Sequence, residues 1–296
     1  MSEKTKKKLG LIADSSCDIP ISTIEKYDIT IVPVNVVFED EIRIPYVNIT
    51  TEQIFEKIVS ENVIPTTGLP PPKRYKDTYE KVLEKYDEVI FLTASKDLSG
   101  LWENAVKYAA EMTNGSVTVV DTRNSIHPFG LIVLKVARMI ENGLDKEEIL
   151  NRVSNDLIPN ARFEAFLGTL EFLKRSGRMT NTQHFLGELL KFKPAITIRD
   201  GTVASNGKVR GEKAKMKYLK KLGERIVNRL PENETIAIMH SSNLNLATEF
   251  KNYLQQISNK NQEILIWETG PASSVHLGPG LLGLAWIGPK SEDLLK

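Results

Sequence analysis

One histidine, His276, stands in a glycine- and proline-rich stretch at 270–280, and a small apolar run at 281–285 follows at once. Glycine permits backbone shapes that other residues resist, and it lets another group come close. The two features together read as a polar anchor at the mouth of an apolar space, suited to a molecule with one polar end and one long greasy end. Three other positions carry compatible groups. Thr67 lies in Pro65-Thr66-Thr67-Gly68-Leu69-Pro70-Pro71-Pro72, too proline-rich for a helix or a central strand and so expected as a stiff loop that fixes a hydroxyl. Ser99 lies in Leu98-Ser99-Gly100, after an apolar run and in the expected first turn of a helix, where its hydroxyl and nearby amides can meet a carboxylate. Arg210 precedes Gly211 just ahead of a helix and can pair bidentately with a carboxylate or phosphate. Each has a plainer alternative: a structural histidine, a connector, a helix cap, or one more charge on a solvated face.

Other chemistries lack their residues. His127, His184 and His240 lie far apart with no metal-ligand spacing, so no metal site is expected. Nothing local activates Cys17 as a nucleophile. There is no glycine-lysine phosphate loop, dinucleotide fingerprint or serine-hydrolase elbow, so the chain lacks the usual means of binding ATP by itself.

The elements that must position these groups are legible as alternating patterns. Apolar runs at 9–13, 31–38, 89–92 and 117–120 read as buried strands, and 39–41 can turn the second of them back into 42–44. Thr50 with Gln53 makes a capping box, and Leu98, Leu101, Trp102, Ala105, Ala109 and Met112 share one helical face. This alternation implies a mostly parallel sheet covered by helices. Later, 163–167, 195–198, 202–204, 236–239 and 264–267 read as strands, with Asp200-Gly201 as a hairpin turn. Gly177 reads as a helix C-cap and Arg178 as a loop cation, with a further helix from Asn181 through Phe185, Leu186, Leu189 and Leu190. A basic helix is expected over 211–229 and another helix over 244–254. The pattern breaks at Pro159-Asn160, which divides the chain into domains 1–158 and 159–296.

The chain has 296 residues, 41% apolar and 26% charged, with a net charge of +1: a folded protein with no global field toward nucleic acid or membrane. The single cysteine fits a reducing cytoplasm, and no signal peptide or membrane span is read from the sequence.

Four segments in order, Leu98-Ser99-Gly100, Lys174-Arg175-Ser176-Gly177-Arg178, Lys208-Val209-Arg210-Gly211 and His276-Leu277-Gly278-Pro279-Gly280, resemble the DegV family of bacterial fatty-acid-binding proteins. The likeness runs from Ile12-Ala13-Asp14-Ser15 to Ile287-Gly288. It implies a two-domain α/β fold, the N-terminal domain a mostly parallel sheet with helices on both faces, the C-terminal one carrying a mixed sheet. It places a long-chain fatty acid between the domains as the ligand, with no other cofactor. By the same resemblance Thr67, Ser99 and His276 hold the carboxylate and Arg210 lies near the head group. The protein would then be a cytoplasmic carrier without catalysis of its own, presenting its acid to a separate fatty acid kinase whose acyl phosphate feeds phospholipid synthesis. The chain departs from the family pattern at Gly68-Leu69, at Leu101 where a threonine is common, and at Ile126 and Pro128, which replace a usual serine and glycine. Two other functions stay open on sequence: an acyl hydrolase using Ser99 and His276, and an interaction module using the basic helix.

Overall fold

The computed structural model describes residues 7–39, 41–61, 63–113, 115–179, 192–258 and 262–296. Strands of the first half are β1 (Lys7–Asp14), β2 (Thr30–Val32), β3 (Asn35–Phe38), β4 (Glu41–Arg43), β5 (Thr66–Gly68), β6 (Tyr86–Thr93) and β7 (Ser116–Asp121). Four of them, ordered β2-β1-β6-β7, form a wholly parallel sheet. Strands buried on both faces read as continuous apolar runs, which is why β1 and β6 were legible. The helices Pro72–Leu83 and Leu101–Ala109 pack together against β6, and Ile126–Glu141 lies against β1 from the other side.

The apolar run at 31–38 is not one strand. β2 pairs with Ile12–Asp14 of the parallel sheet, whereas β3 joins β4 and β5 in a small antiparallel sheet. Pro33 sits at the break, where a missing N–H costs no ladder bond. The segment around Thr67 is likewise an edge strand, β5, rather than a loop: Thr67 pairs with Val36, and the prolines lie outside the paired residues. Val36, Phe38, Ile49, Ile54 and Val275 form the core beneath this small sheet. Thr50 and Gln53 make the expected reciprocal cap, at 2.9 and 3.2 Å, for the helix Thr51–Glu61.

In the second half are β8 (Ala161–Phe166), β9 (Lys193–Arg199), β10 (Thr202–Val209), β11 (Thr235–His240), β12 (Glu263–Glu268) and β13 (Leu282–Ile287). They form one mixed sheet ordered β10-β9-β8-β13-β11-β12, in which β11 and β12 pair in parallel and the other neighbours antiparallel. Asp200 (φ 52°) and Gly201 (φ 84°) make the hairpin turn with the left-handed pair that a type I′ turn requires. The basic helix spans Gly211–Arg229, but Lys215 leaves the solvated face: it is buried and paired to Glu212 at 2.7 Å. The helix expected from Asn181, with Phe185, Leu186, Leu189 and Leu190, and His184 with it, lie outside the described residues.

One expectation is overturned here. The small apolar run after His276 does not line an apolar space; it is β13, the strand between β8 and β11, with all six residues buried. Its small residues, Gly283 and Ala285, serve close strand packing, since a Cβ on Gly283 would land on the backbone of β8.

The two large sheets face a shared helix, Ile126–Glu141, which touches β1 on one side and β8, β11 and β13 on the other. Phe129, Leu131, Ile132, Val133, Leu134 and Val136 are all buried, whereas the last turns carry Lys135, paired to Glu234 at 2.9 Å, Arg138, paired to Glu263 at 2.8 Å, and the exposed Glu141. Among the described residues no helix is long and apolar enough to cross a membrane.

Candidate functional site

The carboxyl ends of β1 and β6 are held together by one buried carboxylate. Asp14 Oδ2 accepts from the Ala94 amide (2.6 Å) and Oδ1 from the Ser16 amide (2.9 Å). Ser15 Oγ, next in sequence, accepts from the Val34 amide (2.9 Å) and so fixes the chain as it leaves β2 for β3. This is the strand end at which open parallel sheets bind ligands. The loop after β6 is equally constrained, because the Ser95 amide donates to Asn124 O (2.7 Å) and the Leu98 and Ser99 amides donate to Ser95 O (3.0 and 3.1 Å). Ser99 precedes Gly100, the N-cap of the helix Leu101–Ala109, so it stands just outside the first turn rather than within it.

His276 lies near the end of the helix Pro271–Leu277, and its Nε2 is 2.9 Å from Thr67 Oγ1. Val275 of this helix is part of the small sheet's core, which brings β5 against the helix and makes the hydrogen bond possible. The helix is closed by Gly278 (φ 68°), where a side chain would collide with Phe172. Ser241 Oγ pins the Gly278 carbonyl at 2.8 Å, so the imidazole hangs from a fixed support.

Thr67, Ser99 and His276 all line one cavity, about 780 Å³ with its open mouth included. Much of the remaining lining is apolar: Val34, Leu98, Leu101, Phe163, Ile196, Ile198, Val203 and Leu277 among others. The cavity therefore lies between the end of the parallel sheet and the strands β8, β9 and β10 of the mixed sheet. Arg210 does not line it; that side chain is exposed at the N-cap of the helix Gly211–Arg229. The cation that does line it is Arg178, braced by donating to the Ser176 carbonyl.

Burial, with a smaller contribution from the Arg178 charge, pushes the His276 pKa down to about 4. The ring is neutral at physiological pH and carries one N–H. With the N–H on Nε2 donating to Thr67 Oγ1, the Thr67 hydroxyl hydrogen is left for a ligand; with the N–H on the buried Nδ1 it is not. Nδ1 of His276 is buried without a partner. Ser99 supplies a further hydroxyl. Ser16 and Ser273 line the same cavity but are committed elsewhere: Ser16 Oγ donates to Asp14, and Ser273 Oγ donates to Asp18 Oδ1 at 2.8 Å. Burial pushes both aspartates up, Asp18 strongly. Five hydroxyl side chains line the cavity: Ser16 and Ser273 brace buried acids, Ser125 stands at the N-cap of the shared helix, and Thr67 and Ser99 flank the imidazole side of the site.

Three departures from the family pattern fall on this site, and Leu101 is one of them, on the cavity lining. Leu69 packs against Gly100, where an added Cβ would come to 3.3 Å of its side chain, and so joins the Thr67 strand to the Ser99 loop. Ile126 lines the cavity with φ 54°, a left-handed backbone that a β-branched residue adopts only under strain of order 1–3 kcal/mol.

For acyl hydrolysis His276 would need Ser99 on one nitrogen and an acid on the other. Nε2 is engaged by Thr67, and Nδ1 has no acidic partner among the described residues. Cys17 is buried with its thiol pushed well up by burial, the reverse of an activated nucleophile. Among the described residues no group of three or more His, Cys, Asp or Glu stands together as a metal would require.

A family model described as "uncharacterised protein, DegV family" matches residues 8–288. A DegV domain-containing protein of Clostridium perfringens is 30% identical over 283 residues, covering 95% of this chain and 98% of the relative. Two solved structures are similar throughout. One, from Bacillus subtilis, is described as DegV, a fatty acid binding protein; it has a TM-score of 0.87 at 25% identity and covers 96% of this chain and 100% of its own. The other, from Thermus thermophilus, is described by the fatty acid binding of a DegV family protein, with a TM-score of 0.86, 30% identity, and coverage of 95% and 100%.

Proposed function

We infer, since this chain belongs to the DegV family, that it binds one long-chain fatty acid, with the carboxylate at Thr67, Ser99 and His276 and the acyl chain in the apolar cavity. The observation that carries this reading is the Thr67–His276 pair, neutral and with a hydrogen to spare when Nε2 is the donor, at an otherwise largely apolar cavity. The relatives described as fatty acid binding support the ligand class.

The energetics divide the work. Burying about fourteen methylenes at ~0.8 kcal/mol each yields roughly 11 kcal/mol before the losses of immobilisation. The tail therefore supplies affinity. An unpaired carboxylate in such a place costs several kcal/mol, and each hydrogen bond to it returns about 1.5–3 kcal/mol, so the head group decides which lipids enter. Arg178, on the cavity lining, adds a positive charge that favours an anionic head group over a neutral lipid.

The protein is then a carrier that presents the acid to a separate fatty acid kinase in the cytoplasm. Arg210, exposed outside the cavity, belongs to the surface that meets that kinase or its charged acyl-phosphate product. The absence of an acid on Nδ1 of His276 among the described residues favours carriage over hydrolysis. Protein purified from a bacterial host without delipidation should yield close to one equivalent of fatty acid in an organic extract read by mass spectrometry. An extract free of fatty acid contradicts the reading.

A further inference from the structure

Phe163 and Ile198 each line two spaces: the apolar cavity on one side and a larger polar chamber, about 1170 Å³ with its open mouth included, on the other. Fatty-acid binding makes no use of this second chamber. Its charged lining is Arg123, Arg162, Arg199 and Lys290 against Asp200 and Glu292. Ion pairs account for part of that charge, Arg123 with Asp97 at 3.7 Å and Arg199 with Glu292 at 2.9 Å.

Arg162 is different. Its guanidinium donates to main-chain carbonyls alone, those of Ala161 (3.0 Å) and Pro159, and its Nε is buried with no partner. It is half-buried and has no ion pair among the described residues, and burial pulls its pKa below the usual arginine range. The Glu292 charge nearby offsets part of the cost of that burial, but Glu292 is in contact with Arg199 and not with Arg162, so the buried Nε stays unpartnered and open to a negative group. Arg199 is held ready by a chain of side chains: it donates to Asn206 Oδ1 (2.6 Å), and Asn206 donates to Glu164 Oε1 (2.7 Å) and Ser291 Oγ (3.0 Å). Two guanidinium forks already ordered lose little further freedom on binding an oxyanion. With Arg123 paired to Asp97 and Arg199 to Glu292, Arg162 and Lys290 face Asp200 alone, which leaves the chamber a net positive charge that suits an anion.

We propose that this chamber is a second ligand site, which binds a phosphate group through Arg162 and Arg199 with Lys290 beside them. The phosphate is either free or the terminus of a phosphomonoester, and the chamber has room for both. Its common wall with the acyl cavity places the two ligands one side chain apart.

Isothermal titration calorimetry at constant ionic strength, with inorganic phosphate and separately with methyl phosphate, tests this. Saturable one-to-one binding is expected, with tighter binding of methyl phosphate marking the ester as the ligand and the reverse marking free phosphate. Arg162→Ala should weaken it about tenfold or more, the loss of one charge-assisted contact. Arg199→Ala, at an exposed position, should act in the same direction and serves if the first variant does not fold. Neither residue lines the acyl cavity, so both variants should retain fatty acid. No saturable binding of either probe, or unchanged binding in both variants, overturns the proposal. Phosphate binding by a protein that carries no fatty acid would leave this site standing while the carrier reading fell.

Discussion

His276→Ala should weaken fatty-acid binding by about tenfold to a hundredfold and leave the fold intact. Hydrogen bonds to a charged group are worth about 1.5–3 kcal/mol, and much of one is lost when the imidazole no longer holds the Thr67 hydroxyl toward a desolvated carboxylate. The tail's contribution survives, so binding falls without vanishing. The imidazole is pinned by Thr67 on one nitrogen and unpartnered on the other, so its removal frees Thr67 but opens no ion pair and breaks no core contact beyond its own. Thr67→Val should give a smaller loss of the same sign, and the double variant less than the sum, because the two side chains act as one donor unit. The pH dependence follows from the depressed pKa. With the ring neutral down to about pH 4 in the free protein, the His276 contribution stays flat between pH 5 and 8. Displacement of a fluorescent fatty acid across that range measures both effects. Unaltered affinity in His276→Ala would remove this residue from the site.

The second large effect is on stability. Gly130→Val should destabilise the protein by about 3 kcal/mol or more, and Gly130→Ala by less but in the same direction. Gly130 lies inside the shared helix, where alanine ordinarily gains about 1 kcal/mol over glycine. That gain is overwhelmed here. A Cβ would land on the main-chain oxygen of Cys17, and would come to 3.1 Å of Trp267 and 3.3 Å of Ile19. A backbone oxygen cannot swing aside as a side chain can, so the helix or the turn Ser15–Cys17 must move. That turn carries Ser16 into the acyl cavity, so the variant should also bind fatty acid less well. Urea unfolding decides the sign: a variant as stable as the parent would mean that helix and turn are not locked together.

The parts of this fold that were legible in the sequence are those whose residues carry a local signature. The capping box at Thr50, the turn at Asp200-Gly201 and the buried strands β1 and β6 each announce themselves within a few residues. The shared helix does not, because 131–134 is a short continuous apolar run that reads equally well as a buried strand. β13 was hidden for a related reason: glycine and alanine chosen for close strand packing look the same in sequence as residues lining a void. At the site, Thr67, Ser99 and His276 were found and share a cavity, although the first lies on a strand and the second just ahead of its helix. The pairing of Thr67 with His276, 209 positions apart, is a tertiary fact with no local trace. Arginine was the hard case. Arg178 and Arg210 both sit in glycine-flanked basic segments, and only the course of the chain shows that the first faces the cavity and the second does not. Ser16 and Ser273 were missed because their buried acid partners give no sign of burial in sequence.

The central claim is that one acid head group meets Thr67, Ser99 and His276 while its chain fills the cavity behind them. A crystal structure of the protein with palmitate bound tests it most directly. The expected result is a carboxylate within hydrogen-bonding distance of those three side chains and an acyl chain running past Leu98, Ile196 and Val203. A palmitate lodged elsewhere, or one whose carboxylate points to solvent with the three side chains unengaged, would contradict it.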